Sequence, residues 1–306
     1  MTATCHDGAV IELPAAVRAM SARGPRWQQW VDELPKSLSA QLDDWDLVPD
    51  GTPLHGFCSI VLPVRTDDGV PAVLKVAFPD DESEHEHLAL RRWDGNGTVR
   101  LLRANPYRRA MLLERLHART LNEVWDLEAC EVVAGLYRRI HVPALPQLRP
   151  LAGFIESWNA DLARLPRDAP VPHRLVEQAL SLGADLVADS AHHDSMIHGD
   201  LHYENVLAAD REPWLVIDPK PMRGDPHCEI APMLTNRFDE LDGYVRDGVR
   251  RRFHTLVDAA GFDADRSRAW VIVRTMHDAM WEITENERPD PRYLTMCVAI
   301  AKAVQD

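Results

Sequence analysis

The sequence predicts an α+β protein of two lobes, a small β-rich one followed by a large helical one. Three observations predict this. Cys58–Val64 and Val70–Ala77 are rich in Val, Ile and Leu and are joined by Asp67–Asp68–Gly69, the pattern of a β-hairpin with its turn. Residues 80–113 continue as helix, strand and strand. After Leu116 most segments carry apolar residues at helical spacing. A chain of 306 residues is long enough for two lobes, each with a core.

In chain order, residues 14–45 read as helix, with Trp27, Trp30, Val31 and Leu34 forming an apolar stripe. The hairpin follows. Asp80–Trp93 reads as a helix with Glu86, Leu90 and Trp93 on one face, and Val99–Leu102 and Arg109–Leu113 as two further strands. Beyond a boundary near residues 114–120, Glu128–Ile140 and His173–Ala188 are helices, with a proline-rich bend at Pro143–Pro150 between them. A short β-rich interruption falls at Val206–Asp218, and helices run from there to the end. The division into lobes is therefore 1–115 and 116–306.

Composition narrows the class of function. A net charge of −14 disfavours nucleic acid, which is bound by neutralising phosphates with Lys and Arg, and favours a cationic ligand. No run of about 18 uncharged apolar residues is present, so no membrane partner is expected. The start Met1–Asp7 has no basic segment followed by an apolar run, and Cys5, Cys58, Cys130, Cys228 and Cys297 are scattered. A cytoplasmic protein without disulfides is the expectation.

The chemistry concentrates in Met196–Leu207, which contains His198–Gly199–Asp200–Leu201–His202–Tyr203–Glu204–Asn205, and in Leu215–Val216–Ile217–Asp218–Pro219. Phosphoryl transfer from ATP needs a carboxylate at the attacking hydroxyl and oxygen ligands for magnesium. Asp200 and Asn205 lie five residues apart in one loop, and Asp218 ends an apolar strand thirteen residues later. Protein kinases order an Asp, an Asn and a strand-end Asp in this way. The same order calls for a strand lysine upstream, and Lys75 sits alone within Ala72–Val76. A buried lysine needs a partner, for which Glu82, Glu84 and Glu86 compete. Glu86 is preferred because Leu90 and Trp93 share its helical face, with Glu84 next. Gly56–Ser59 stands where a loop would cover phosphate, with Gly56 permitting close backbone approach and Ser59 a hydroxyl. Glu114 and Leu116, where strand Ala110–Leu113 runs into the lobe boundary, are placed to meet adenine through main-chain atoms.

On these residues the chain resembles the aminoglycoside and hydroxyurea antibiotic-resistance kinases, and within that family the streptomycin 6-phosphotransferases. The resemblance runs from about residue 26 to the end and is most specific in His198–Leu207, Glu212–Pro219, Gly224–Asp225–Pro226, Val99–Leu102 and Met111–Leu116. It implies a protein-kinase-like fold with ATP between the lobes. It also implies Asp200 as catalytic carboxylate, Asn205 and Asp218 as magnesium ligands and Lys75 on the nucleotide phosphates. The family often carries an Asp after its Gly-Asp-Pro where this chain has Glu229, and Lys220 after Asp218–Pro219 is a second departure that alters local charge.

The acceptor implied is a small cationic aminocyclitol such as streptomycin, phosphorylated at its 6-hydroxyl, with hydroxyurea or a sugar or amino-sugar metabolite as the alternative. Asp225 and Glu229 are expected at the substrate. Asp278, Glu282 and Glu285 follow an i, i+4, i+7 pattern that sets three carboxylates on one helical face, with Trp281 beside them to stack on a cation. His192, His193 and His202 lack ligand spacing and read as polar loop. A protein kinase is disfavoured because Glu229–Pro232 follows Asp218 too soon for a peptide-binding segment. The expected partners are a small-molecule acceptor, ATP and magnesium, in a monomer.

Overall fold

The structure, a computed structural model, describes residues 11–305. The Met1–Asp7 start and Cys5, read above, lie outside those residues. The described chain divides into two compact units. One runs up to Gly95 and adds Val99–Leu116, and the other holds Asn96–Thr98 and everything from His117 on.

The first unit opens with helices α1 (Ala15–Ala19) and α2 (Pro25–Asp44). They are separate because Gly24, at φ +135°, breaks the single helix expected over 14–45. Six antiparallel strands follow: β1 (Val48–Pro49), β2 (Leu54–His55), β3 (Ser59–Arg65), β4 (Pro71–Ala77) and, beyond helix α3 (Glu86–Trp93), β5 (Leu101–Asn105) and β6 (Ala110–Glu114). The sheet order is β1-β3-β4-β6-β5, with β2 on β3. Gly69, at φ +81°, turns β3 into β4. Period-two alternation gives the sheet two faces. Ile60, Leu62, Val64, Ala72, Leu74, Val76, Ala110 and Leu112 form one core with Val31, Leu34, Leu38 and Leu42 of α2. Lys75 projects to the other face, towards α3. That helix starts at Glu86 rather than Asp80, because the Asp80 carboxylate accepts the Ser83 N–H and holds a turn there.

The second unit holds α4 (Asp126–Ile140), α5 (Leu151–Leu162) and α6 (His173–Ala188), then two small nested sheets. Strand β7 (Ser195–Ile197) pairs with β10 (Met222–Gly224), and between them β8 (Val206–Ala208) pairs with β9 (Trp214–Val216). Helices α7 (Ile230–Thr235), α8 (Val245–Ala260), α9 (Ala264–Glu285) and α10 (Pro291–Ala303) complete the chain. Helix α4 packs along α8, and α9 against α6 and α10. Helix α5 was not foreseen after the proline-rich bend. It buries Leu151 and Ile155 with Ile197, Met222, Trp270 and Val273.

One charged group lies deep in this unit. Arg252 of α8 has no exposed surface; it donates to Asp126 and to the C=O groups of Asn236 and Arg237, and lies over the Tyr203 ring. Tyr203, also fully buried, donates to the Met233 C=O. The middle of the Asp200–Asn205 loop is thereby anchored in the helical core. Among the described residues Cys130, Cys228 and Cys297 are free thiols, and no helix is long and apolar enough to cross a membrane.

Candidate active site

In the first unit Lys75 meets both carboxylate oxygens of Glu86, at 2.7 and 2.8 Å. The two residues are 6% and 1% exposed, so the pair is out of water and its charges compensate each other. Glu84 points elsewhere, 3.8 Å from Arg109.

The Gly56–Ser59 turn is closed by the Gly56 N–H on the Ser59 C=O at 3.0 Å. A Cβ on Gly56 would fall 2.8 Å from the Ser59 hydroxyl, so glycine is needed to let the turn close over that side chain. Ser59 is buried beneath it at the start of β3. The hydroxyl expected to face a ligand is therefore covered. Arg23 grips the turn from the side. Its guanidinium lies over the Phe57 ring and the Trp27 ring and donates to the Phe57 C=O at 2.7 Å.

At the end of β6 the Glu114 N–H donates to the Arg100 C=O, and its carboxylate accepts the Arg100 N–H. The Glu114 N–H is thus committed within the unit. Leu116, two residues on, has no backbone hydrogen bond to the described residues.

The second unit assembles the Asp200 loop from two backbone clasps. The β7–β10 pairing aligns Ile197 with Met222, and the Lys220 N–H donates to the His198 C=O at 2.8 Å. The β8–β9 pairing aligns Val206 with Val216, and the Ile217 N–H donates to the Asn205 C=O at 2.9 Å. Asn205 and Asp218 therefore flank the same end of one hairpin. Asp218 turns there with a left-handed φ of +56°. The Asn205 side-chain N–H donates to the Asp200 C=O at 2.8 Å, which ties the two ends of the loop.

His198 is fully buried. The Asp200 N–H donates to its Nδ1, so Nε2 carries the proton and donates to the Ile217 C=O at 2.9 Å. Burial lowers its pKa, which keeps the ring neutral in this role.

Gly199, at φ +86°, donates its N–H to Glu229 at 2.6 Å. The other Glu229 oxygen is 2.9 Å from His141 Nε2, and the Glu229 C=O accepts the Tyr137 hydroxyl. Burial works to raise Glu229, but the hydrogen bond and charge of His141, with the Gly199 N–H, hold it below its ordinary value.

These contacts correct the expectation that Asp225 and Glu229 face a substrate. Glu229 is a buried brace under the Asp200 loop. Asp225 has no exposed surface and accepts from the His227 backbone and ring, Arg266 and Trp270. Its pKa sits at about 2: burial works to raise it, and the hydrogen bond and charge of His227 and the Trp270 N–H outweigh that. A carboxylate depressed by folding adds stability above its unfolded pKa, about 3.9, and loses it as pH falls through about 2. Asp225→Asn should therefore remove about 2–3 kcal/mol of the acid-dependent part of stability. Chemical denaturation from pH 7 down to pH 2 checks this. A variant with the parent's acid slope would contradict it.

The acidic face of α9 also divides. Burial pushes Asp278 up to about 6, with Arg274 working against it and the Asp200 carboxylate adding to it. Asp278 thus lies within electrostatic reach of Asp200. Glu282 is committed to the following loop, where it accepts the Asp290 N–H and the Asn286 side chain. Glu285 is exposed at the helix end. Trp281 packs edge-to-face on Trp158 of α5 at 4.8 Å, in a cluster with His277.

The family profile that matches the chain is that of the aminoglycoside/hydroxyurea antibiotic resistance kinases, over residues 44–285. The chain belongs to this family. It is 40% identical to streptomycin 6-kinase of Streptomyces glaucescens, across 95% of this chain and 97% of that one. It is 38% identical to hydroxyurea phosphotransferase of Kitasatospora aureofaciens, across 92% and 83%. Among solved structures it is similar to a thermostable mutant of aminoglycoside phosphotransferase APH(4)-Ia in complex with ADP and hygromycin B. There the TM-score is 0.61 and the identity 18%, over 87% of this chain and 97% of that one. The fold of this family member is protein-kinase-like, with a β-sheet region followed by a helical one, and the protein is a phosphotransferase.

Three features of the site were not read from sequence. Lys220 Nζ lies 2.9 Å from an Asp200 carboxylate oxygen. The His141–Glu229 pair holds Gly199, and Arg252 with Tyr203 anchors the loop. Each joins residues distant in the chain; Lys220 reads from sequence only as a change of local charge, and the run of arginines before Phe253 in an amphipathic helix is the one other hint.

Proposed function

We propose that this kinase moves the γ-phosphoryl group of ATP to a hydroxyl of a small cationic aminocyclitol antibiotic, with the 6-hydroxyl of streptomycin as preferred acceptor. The observation that carries the reading is the clasp of Asp200, Asn205 and Asp218 at one end of the β8–β9 hairpin, in a chain 40% identical to a streptomycin 6-kinase along nearly its whole length.

In this reading Lys75, held by Glu86, binds phosphate oxygens, and the Gly56–Ser59 turn covers them. The adenine edge offers an amine donor and a ring-nitrogen acceptor, which the Glu114 C=O and the Leu116 N–H complement. Asn205 and Asp218 fit magnesium because both offer hard oxygen atoms. With the Asn205 amide nitrogen engaged by the Asp200 C=O, the amide oxygen is the atom presented to a cation. Magnesium, when bound, neutralises charge on the phosphates. Asp200 orients the acceptor hydroxyl and takes its proton as the oxygen attacks the γ-phosphorus. Positioning and charge neutralisation supply most of the rate. Asp278 is the carboxylate offered to a cationic group on the acceptor, with Trp281 near it on α9.

The relative named hydroxyurea phosphotransferase, at 38% identity, supports a second reading in which hydroxyurea is the acceptor. Release of ADP by the purified protein separates the two, measured with streptomycin, other aminoglycosides, hydroxyurea and amino sugars, and with Asp200→Ala as control. Turnover highest with streptomycin is the expected result. Turnover with hydroxyurea and none with streptomycin would select the second reading, and silence with every acceptor would overturn both.

A further inference from the structure

Lys220 reads from sequence only as a change of local charge. In the structure its Nζ lies 2.9 Å from Oδ2 of Asp200, in a pair whose side chains are 37% and 32% exposed. An ion pair so open to water contributes little to stability, yet its placement is tightly defined. The Lys220 N–H is fixed on the His198 C=O. The Lys220 C=O comes so close to Gly199 that a Cβ there would be 2.3 Å away. Two backbone contacts on the residues just before Asp200 therefore aim this lysine at the Asp200 carboxylate.

Resting on the assignment of Asp200 as the carboxylate at the acceptor hydroxyl, the geometry points to Lys220 as a positioning residue for transfer. The reaction brings that carboxylate towards a triphosphate, and like charges at short range oppose each other strongly where water is excluded. The Lys220 ammonium offsets the Asp200 charge and fixes Oδ2, so that Oδ1 is turned to the acceptor. During transfer the acceptor oxygen bonds to the γ-phosphorus and its proton passes to Oδ1. The bond from the γ-phosphorus to the bridging oxygen breaks, and ADP leaves with the electron pair. Lys220 acts on this step through Asp200.

The test uses the full chain with Lys220→Met, Lys220→Arg, Asp200→Asn and the double variant Asp200→Asn/Lys220→Met. Lys220→Met is expected to lower kcat roughly a hundredfold, the scale of one lost electrostatic contact at a reacting centre. The acceptor KM and the thermal midpoint should stay near the parent's, and Lys220→Arg should recover much of the rate. Calorimetry without acceptor gives a readout independent of turnover. Affinity for ATP should fall several-fold in Lys220→Met while affinity for ADP holds, and in the Asp200→Asn background the lysine should no longer matter to ATP. The double variant should turn over no more slowly than Asp200→Asn alone. Near-parental kcat in Lys220→Met, with Asp200→Asn inactive, would overturn this inference and leave the Asp200 assignment standing. Additive losses in the double variant would also overturn it, because the lysine would then act independently of Asp200. Near-parental turnover by Asp200→Asn would instead remove the assignment on which the inference rests.

Discussion

Asp200→Asn is expected to lower phosphoryl transfer by roughly a thousandfold, within the range for loss of a general base, while the protein stays folded. The change keeps the shape of the side chain and removes its charge. The loop that carries it is held by contacts the substitution does not touch: the Asn205 amide on the Asp200 backbone, the Tyr203 hydroxyl on Met233 and the Gly199 N–H on Glu229. The one ion pair lost, with Lys220, is partly exposed. Its contribution to stability should be about 1 kcal/mol or less. Turnover and thermal midpoint measured on one preparation test the statement. A variant that loses its fold along with its activity would contradict the claim that Asp200 serves chemistry rather than structure.

Gly199→Ala is expected to have the second large effect, this time on both structure and rate. Gly199 holds a φ of +86°, and the added Cβ would lie 2.3 Å from the Lys220 C=O and 3.1 Å from the Met222 side chain. Neither the glycine nor the carbonyl can withdraw without cost. The Gly199 N–H is bound to Glu229 and the Lys220 N–H to His198. Left-handed strain and the clash together should cost about 2–4 kcal/mol. Relief by movement would pull Lys220 from Asp200, so the rate should fall as well. Gly135→Ala is the control. Gly135 sits inside α4, where a Cβ meets only the Arg138 guanidinium at 3.8 Å, and alanine there should be neutral or stabilising by up to about 1 kcal/mol. Denaturant unfolding of both variants decides, and equal stability of the two would contradict the account of the loop.

Both predictions turn on contacts that are non-local, and this marks what the sequence could convey. The Lys75–Glu86 pair was legible because strand alternation and the Leu90–Trp93 helical face each point a side chain inward, independently of the rest of the chain. The order of Asp200, Asn205 and Asp218 was legible because it lies within two adjacent loops. Asp225 and Glu229 were misplaced because their partners are His141, Arg266 and Trp270, far away in sequence. With the nearby His227 and the Gly199 N–H, those partners make the two carboxylates buried braces. Glu282 was misread for a related reason. Helical spacing set it beside Asp278, but the α9–α10 loop folds back and claims it. Helix α5 is hard to read from sequence because the proline-rich Pro143–Pro150 run marks a bend just before it, while the apolar Leu151, Phe154, Ile155 and Trp158 that seat it find their partners in distant elements. The break at Gly24 shows the opposite weakness: the stripe of Trp27, Trp30, Val31 and Leu34 lies wholly within α2, and nothing in it carries a helix back across a glycine that the backbone uses to turn.

The most direct test of the central claim is transfer of a γ-labelled phosphate from ATP, followed by mass-spectrometric location of the phosphate on the acceptor. Stoichiometric label on a single streptomycin hydroxyl, the 6-position, with none transferred by Asp200→Asn, is the predicted result. Label released as free phosphate, or an acceptor phosphorylated equally well by Asp200→Asn, would contradict the account.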